Sequence, residues 1–192
     1  MSQIYESIPN PKSKEKNLFL SDEVNQETIG KLAKEIIEIN EYDDYLIKLF
    51  EIHDLVYVRK PIKLFIDSYG GAVYQCFGLL SLIESSKTPI HTYITGTAMS
   101  CGFMIAICGH KRFCYKLSTP LYHQVSSVAI GTLRAIEEDV VEARRLQKKI
   151  EEIVLMKTKI TKKKLEKIYI RKKDWYMTPE EALSLGVVDE IL

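Results

Sequence analysis

No two cysteines of this 192-residue chain stand at the CxxC spacing, and no histidine is placed to complete a zinc set with them. Cys76, Cys101, Cys108 and Cys114 lie in apolar runs, where a free thiol behaves as a small hydrophobe. That points to a reducing, cytoplasmic setting and to chemistry that needs no metal or other cofactor. Neither sign of charge dominates: 27 Lys and Arg against 26 Asp and Glu leave a net +1. Nucleic acid and anionic membrane are therefore not expected as partners. Long apolar runs are missing too. The longest, Ile94 to Cys108, is broken by Gly, Ser and Thr, falls short of the ~20 residues that span a bilayer, and reads as a buried helix. Met1 to Glu6 carries no basic patch followed by an apolar core, so no signal peptide is expected. Internal repeats and low-complexity segments are absent as well. What remains is one well-packed domain of ordinary composition, 46% apolar and 28% charged.

Residues 1–16 are polar and read as a flexible tail, leaving 17–192 as the folded unit. Asn17 to Leu20 predicts a strand, and Ser21 or Asp22 opens a helix with Ile29, Leu32, Ile36 and Ile37 at helical spacing, ending near Asn40. One or two further helical turns are expected between Glu41 and Lys60. Strands are predicted over 62–67 and 90–94, each running through a glycine-containing turn into a helix, at 72–86 and 100–108. Short strands follow at 112–115 and 120–122. A helix of unusual length is expected over 131–157, with Leu133, Ile136, Val140, Leu146, Ile150 and Ile153 on one stripe and Glu137, Glu138, Arg144, Lys148 and Glu151 opposite. A helix so long projects from its domain or is shared with a neighbour. A short helix over 161–169, a capping box at Thr178-Pro179-Glu180-Glu181, and a last strand over 187–192 complete the pattern. Strands alternating with helices predict an α/β fold with a parallel sheet.

Three positions carry the chemistry. Ser100 lies in Gly96-Thr97-Ala98-Met99-Ser100-Cys101-Gly102, His123 follows Pro120-Leu121-Tyr122, and Asp174 precedes Trp175-Tyr176-Met177-Thr178-Pro179. A serine, a histidine and an aspartate suggest acyl transfer, which needs a nucleophile, a base and an orienter, whatever their chain order. Small residues flank Ser100 at a strand-to-helix turn, as a tight nucleophile turn requires. Gly70-Gly71 follows strand 62–67 as Ser100 follows strand 90–94. The N–H groups of Gly71 and Cys101 can then form an oxyanion hole, each donor worth roughly 3–4 kcal/mol toward a tetrahedral intermediate. Each position also has a plainer reading: Ser100 as a helix N-cap, the glycines as a helix start, His123 as a strand-end histidine, and Asp174 as a solvated carboxylate.

From Asn17 to Leu192 the chain resembles the proteolytic subunit of the Clp (caseinolytic) protease family. The likeness is carried by Phe65 to Gly71, Gly96 to Gly102, Tyr122-His123-Gln124, Asp174 to Ala182, and Gly186 to Ile191. The resemblance implies a crotonase-like α/β fold built of βαβ units, with the helix over 131–157 as its protruding handle. It implies a serine endopeptidase acting on polypeptide substrates, with Ser100 as nucleophile, His123 as base, Asp174 as its orienter, and Gly71 and Cys101 as oxyanion donors. It further implies a homo-oligomer of paired heptameric rings enclosing a chamber, and a AAA+ unfoldase as partner. Three features depart from the family pattern: Tyr69 and Val125 stand where it usually has proline, and the stretch before the first strand lacks a Tyr-rich basic helix. The last of these sets unfoldase docking in the usual manner in question and suggests a divergent, phage-type member. A non-catalytic ring subunit and an acyl-CoA-processing enzyme of the same fold are the alternative expectations.

Overall fold

Leu18 and Leu20 alternate with an exposed Phe19 in β1 (Asn17–Leu20), the first strand of a computed structural model that describes residues 16–171 and 173–192. The expected tail lies, as far as residue 15, outside the described residues. Lys16, at its end, is held by Asp43 at 2.6 Å. The chain stays extended to Val24 before α1 (Gln26–Ile52) begins under a capping box from Asn25. The helix therefore starts later than Ser21 or Asp22, because Val24 is engaged elsewhere: it forms a parallel bridge with Gly71. It also runs on without a break beyond Asn40 to Ile52, 27 residues in all.

β2 (Ile62–Ser68), α2 (Val73–Ser85), β3 (Ile90–Met99) and α3 (Cys101–Ile107) follow as two successive strand–helix units. Then come β4 (Lys111–Cys114), β5 (Thr119–Tyr122), α4 (Leu133–Lys157), α5 (Lys162–Arg171), β6 (Trp175–Tyr176), α6 (Pro179–Ser184) and β7 (Glu190–Ile191). The sheet order is β1-β2-β3-β4-β7, and every pairing in that path is parallel. β3 is long enough to have two neighbours on one side. Its first half pairs with β4 and its end, Thr97 to Met99, pairs with β5. β6, not expected from the sequence, pairs antiparallel with β5.

Leu64, Ile66, Ile90 and Ile94 are fully buried, as alternation along half-covered strands requires. They join Leu79, Ile83, Phe103 and Ile105 from α2 and α3 in one core. The other side of the sheet carries Phe19, Phe65, Tyr93 and Phe113 in register across four strands, with successive ring centroids 5.2, 5.0 and 4.6 Å apart.

α4 divides into two parts. Leu146, Gln147, Ile150 and Val154 are buried against the domain, whereas Leu133, Val140 and Val141 stand in solvent, so the first half projects. Where it leaves the domain, Glu142 accepts from the Tyr74 hydroxyl at 2.6 Å and from both Arg145 nitrogens at 2.7 Å. Those donors, Arg145 first, hold the Glu142 carboxyl down at about 2. Among the described residues, no helix is long and apolar enough to cross a membrane.

Candidate active site

Ser100 has φ 53° and ψ −119°, a conformation that L residues rarely adopt and that costs of order 1–3 kcal/mol. β3 ends at Met99 and α3 starts at Cys101, so the whole change of direction falls on this one residue. Two contacts hold it there: the Ser100 N–H donates to Leu121 O at 3.1 Å, and its carbonyl accepts from Met104 N–H at 3.1 Å. The side chain makes no capping bond to its helix. Ser100 thus occupies the N-cap position of α3, as the plainer reading has it, but its hydroxyl does not cap the helix.

Gly70 and Gly71 both have positive φ, 98° and 146°. A Cβ built on Gly70 would stand 2.7 Å from both Met99 O and Ser100 Cβ and 2.9 Å from Cys101 N. The two turns are therefore in contact at one sheet edge, as parallel pairing of β2 with β3 requires. Val24 fixes the glycine turn from the other side. Its N–H donates to Gly70 O and its carbonyl accepts from Ala72 N–H, both at 2.7 Å, which leaves the Gly71 N–H outside the bridge. The Cys101 N–H is in the first turn of α3, where no intrahelical acceptor exists. Neither N–H makes a hydrogen bond among the described residues. The Cys101 thiol donates to Gly71 O at 3.2 Å and binds the two turns together. Behind it the buried Cys76 thiol, hydrogen-bonded toward Cys101, is held well above the ordinary thiol range.

β5 brings the remaining residues to the same edge. Met99 is in register with Leu121, and Tyr122 pairs with Trp175. His123 follows Tyr122 and Asp174 precedes Trp175, so the two lie next to the last of these pairs at the same end of the β5–β6 ladder. The two-residue β6 and the bond from Met177 N–H to Pro120 O at 2.9 Å hold that register. Residues 100, 123 and 174 are thus the first positions past three adjoining strand ends. His123 is half-buried and Asp174 exposed. Among the described residues, no hydrogen bond joins Ser100 to His123 or His123 to Asp174.

Two neighbouring residues bear on the site: Tyr122, part of the Tyr122-His123-Gln124 likeness, and Gln147, which the sequence does not single out. Tyr122 is buried, which pushes its hydroxyl up to about 12, and its ring meets Phe103 edge-on with centroids 5.8 Å apart. Gln147 of α4 is buried beside it and bonds to residues on both sides of His123. The only signal in the sequence was a glutamine at a position between Leu146 and Ile150 on an otherwise apolar stripe.

The family model described as Clp protease matches residues 6–192. An ATP-dependent Clp protease proteolytic subunit of Deinococcus radiodurans is 29% identical over 136 residues, 70% of this chain and 66% of that protein, just under two thirds of its length. The ATP-dependent Clp protease proteolytic subunit 1 of Prochlorococcus marinus subsp. pastoris is 27% identical over 189 residues, 93% of this chain and 84% of that protein. With a match over nearly its whole length and the parallel, handle-bearing α/β fold expected of it, the chain belongs to the Clp protease family.

Proposed function

We propose that this chain is a serine endopeptidase subunit that cleaves unfolded polypeptides or peptides through an acyl-enzyme on Ser100. The observation that carries the reading is the strained Ser100 turn packed against the Gly70-Gly71 turn, with two unengaged N–H groups, at Gly71 and Cys101, beside the serine. In this reading Ser100 Oγ attacks the scissile carbonyl carbon while His123 takes its proton. The C=O pair moves onto oxygen, and the two N–H groups stabilise that oxyanion. His123 then gives the proton to the leaving amine as the C–N bond breaks. Water, activated by the same imidazole, releases the acyl group and restores the serine. Asp174 orients the imidazole and stabilises its cationic form.

Exposed apolar surface supports the same reading. Val128, Ile130, Leu133, Val140 and Val141 are exposed apolar residues on the projecting half of α4 and the segment before it. Covering them with like chains, in paired rings, encloses the site in a chamber and fixes the segment that His123 opens. A AAA+ unfoldase that feeds such a chamber belongs to the same proposal. One observation favours a second reading, a non-catalytic ring subunit: the three side chains are not hydrogen-bonded to one another in the single chain.

A fluorophosphonate probe separates the two. The assembled protein is expected to be labelled and to cleave a fluorogenic peptide, and Ser100→Ala is expected to lose both. Rings that form but take no label support the non-catalytic reading. Label that persists in Ser100→Ala removes Ser100 as nucleophile.

A further inference from the structure

Gln147 is the one amide among the buried residues of α4, with 9% of its surface exposed. A buried amide is costly unless its groups are paired, and here they are. Its Oε1 accepts from the Val125 N–H at 2.8 Å. Its Nε2 donates to Glu151 Oε1 at 2.7 Å and to the Tyr122 hydroxyl at 3.3 Å. Tyr122 comes immediately before His123, and Val125 two residues after it. The His123 ring makes no hydrogen bond among the described residues, and the segment from 124 to 131 belongs to no helix or strand. One side chain of the handle helix therefore joins Tyr122, already fixed in β5, to Val125 in the irregular segment, and the imidazole lies between these two points.

We propose that Gln147 is a positioning residue for His123, tying the Tyr122 side chain before the base and the Val125 backbone after it to α4; this rests on the reading of His123 as the base. The pairing is specific to the residues present. A proline at 125 would have no N–H to offer, whereas Val125 supplies the donor that the Gln147 carbonyl accepts. Glu151 sets which way the amide faces, because its carboxylate attracts the NH2 and leaves the carbonyl for Val125. A misplaced base slows every step that needs proton transfer, while the pocket for substrate is untouched.

The test is the second-order rate of fluorophosphonate labelling at Ser100 across pH, with peptide kcat and KM and a thermal melt on each variant. Gln147→Met fills the same space without a donor or an amide carbonyl. It is expected to label at least ten-fold more slowly, with a displaced pH midpoint, lower kcat and unchanged KM. The exchange Gln147→Glu with Glu151→Gln rebuilds the same contacts with the acceptor still facing Val125, and is expected to return to within about three-fold of the parent. Should Gln147→Met not fold, Gln147→Glu alone, repelled by Glu151, serves as the lesion and the added Glu151→Gln as its rescue. Folded lesion variants that label at the parental rate with the parental pH profile, changed only in melting temperature, overturn the positioning role and leave the serine-peptidase reading standing. A parent protein that takes no label overturns both.

Discussion

Space at Gly70 decides how closely the serine turn and the oxyanion turn approach. The missing side chain lets Met99 O, Ser100 Cβ and Cys101 N come within 3 Å of where a Cβ would stand. Gly70→Ala must push the Ser100 turn away and also force an L residue to φ 98°. The backbone cost alone is about 1–3 kcal/mol. We expect a lower melting temperature together with a more than ten-fold loss of Ser100 labelling. A variant labelled at the parental rate would show that the contact is not needed for the site. Ser100 and Gly70 are complementary at this scale: one accepts a strained backbone so that the other can lie against it.

At the scale of elements, α1 is the instructive case. Asp43 is fully buried yet held by Lys16, the Tyr57 hydroxyl at 2.8 Å and the Thr88 hydroxyl at 2.6 Å, with Arg59 at 3.9 Å. Removing it strands the mostly buried Lys16 without its counter-charge and leaves the Tyr57 and Thr88 hydroxyls without their acceptor, while Arg59 keeps its pair with Asp44. Asp43→Ala is expected to cost about 3–5 kcal/mol, a fall of roughly 6–20 °C in melting temperature for a domain of this size. Asp44→Ala next door, where the carboxylate is 38% exposed and Arg59 retains Asp43 at 3.9 Å, is the comparison and should cost less. The same network explains why the sequence suggests a break at Asn40, with separate helical turns beyond it, where the structure has one continuous helix. Asn40 and Asp43 look like stop signals locally, but their partners, Ser86, Thr88, Lys16 and Arg59, come from distant segments. β3 was cut short at Ile94 for a related reason. Gly96 suggests a turn, yet it lies within the strand: the Asp67 carboxylate stands 2.5 Å from where its Cβ would be, which accounts for the glycine, and accepts from the Thr97 N–H at 2.8 Å. By contrast β2, α2, α4 and the Thr178 capping box were legible, since alternation, helical spacing and caps are written within a few residues. Ser100, His123 and Asp174 were legible as residue types in family-like settings. Gln147 and β6 were not, because both are defined by what they pair with and not by their neighbours in the chain.

Across the whole molecule, buried proton donors set an alkaline limit. Burial pushes the Cys108 thiol from 9 up to about 11, and the Tyr57 and Tyr122 hydroxyls from 10 up to about 12. The unfolded chain gives up these protons first, so above pH 9 it binds fewer than the folded one, and stability falls as pH rises. Their contribution is complete below pH 9 and is lost progressively between pH 9 and 12. Chemical denaturation at pH 8 and pH 10.5 checks this, with Tyr122→Phe expected to flatten the decline. A stability that held level over that range would contradict it. The pairing of β5 with β6 has a consequence of another kind. The chain has a single tryptophan, and it is Trp175, paired with Tyr122, adjacent to Asp174, and covered by the Lys164 ammonium 4.4 Å from its ring centroid. All indole emission from this protein therefore originates at the strand next to residue 174, so a change in its colour or intensity on assembly or on acylation of Ser100 is an optical signal from beside the proposed site, with no label attached.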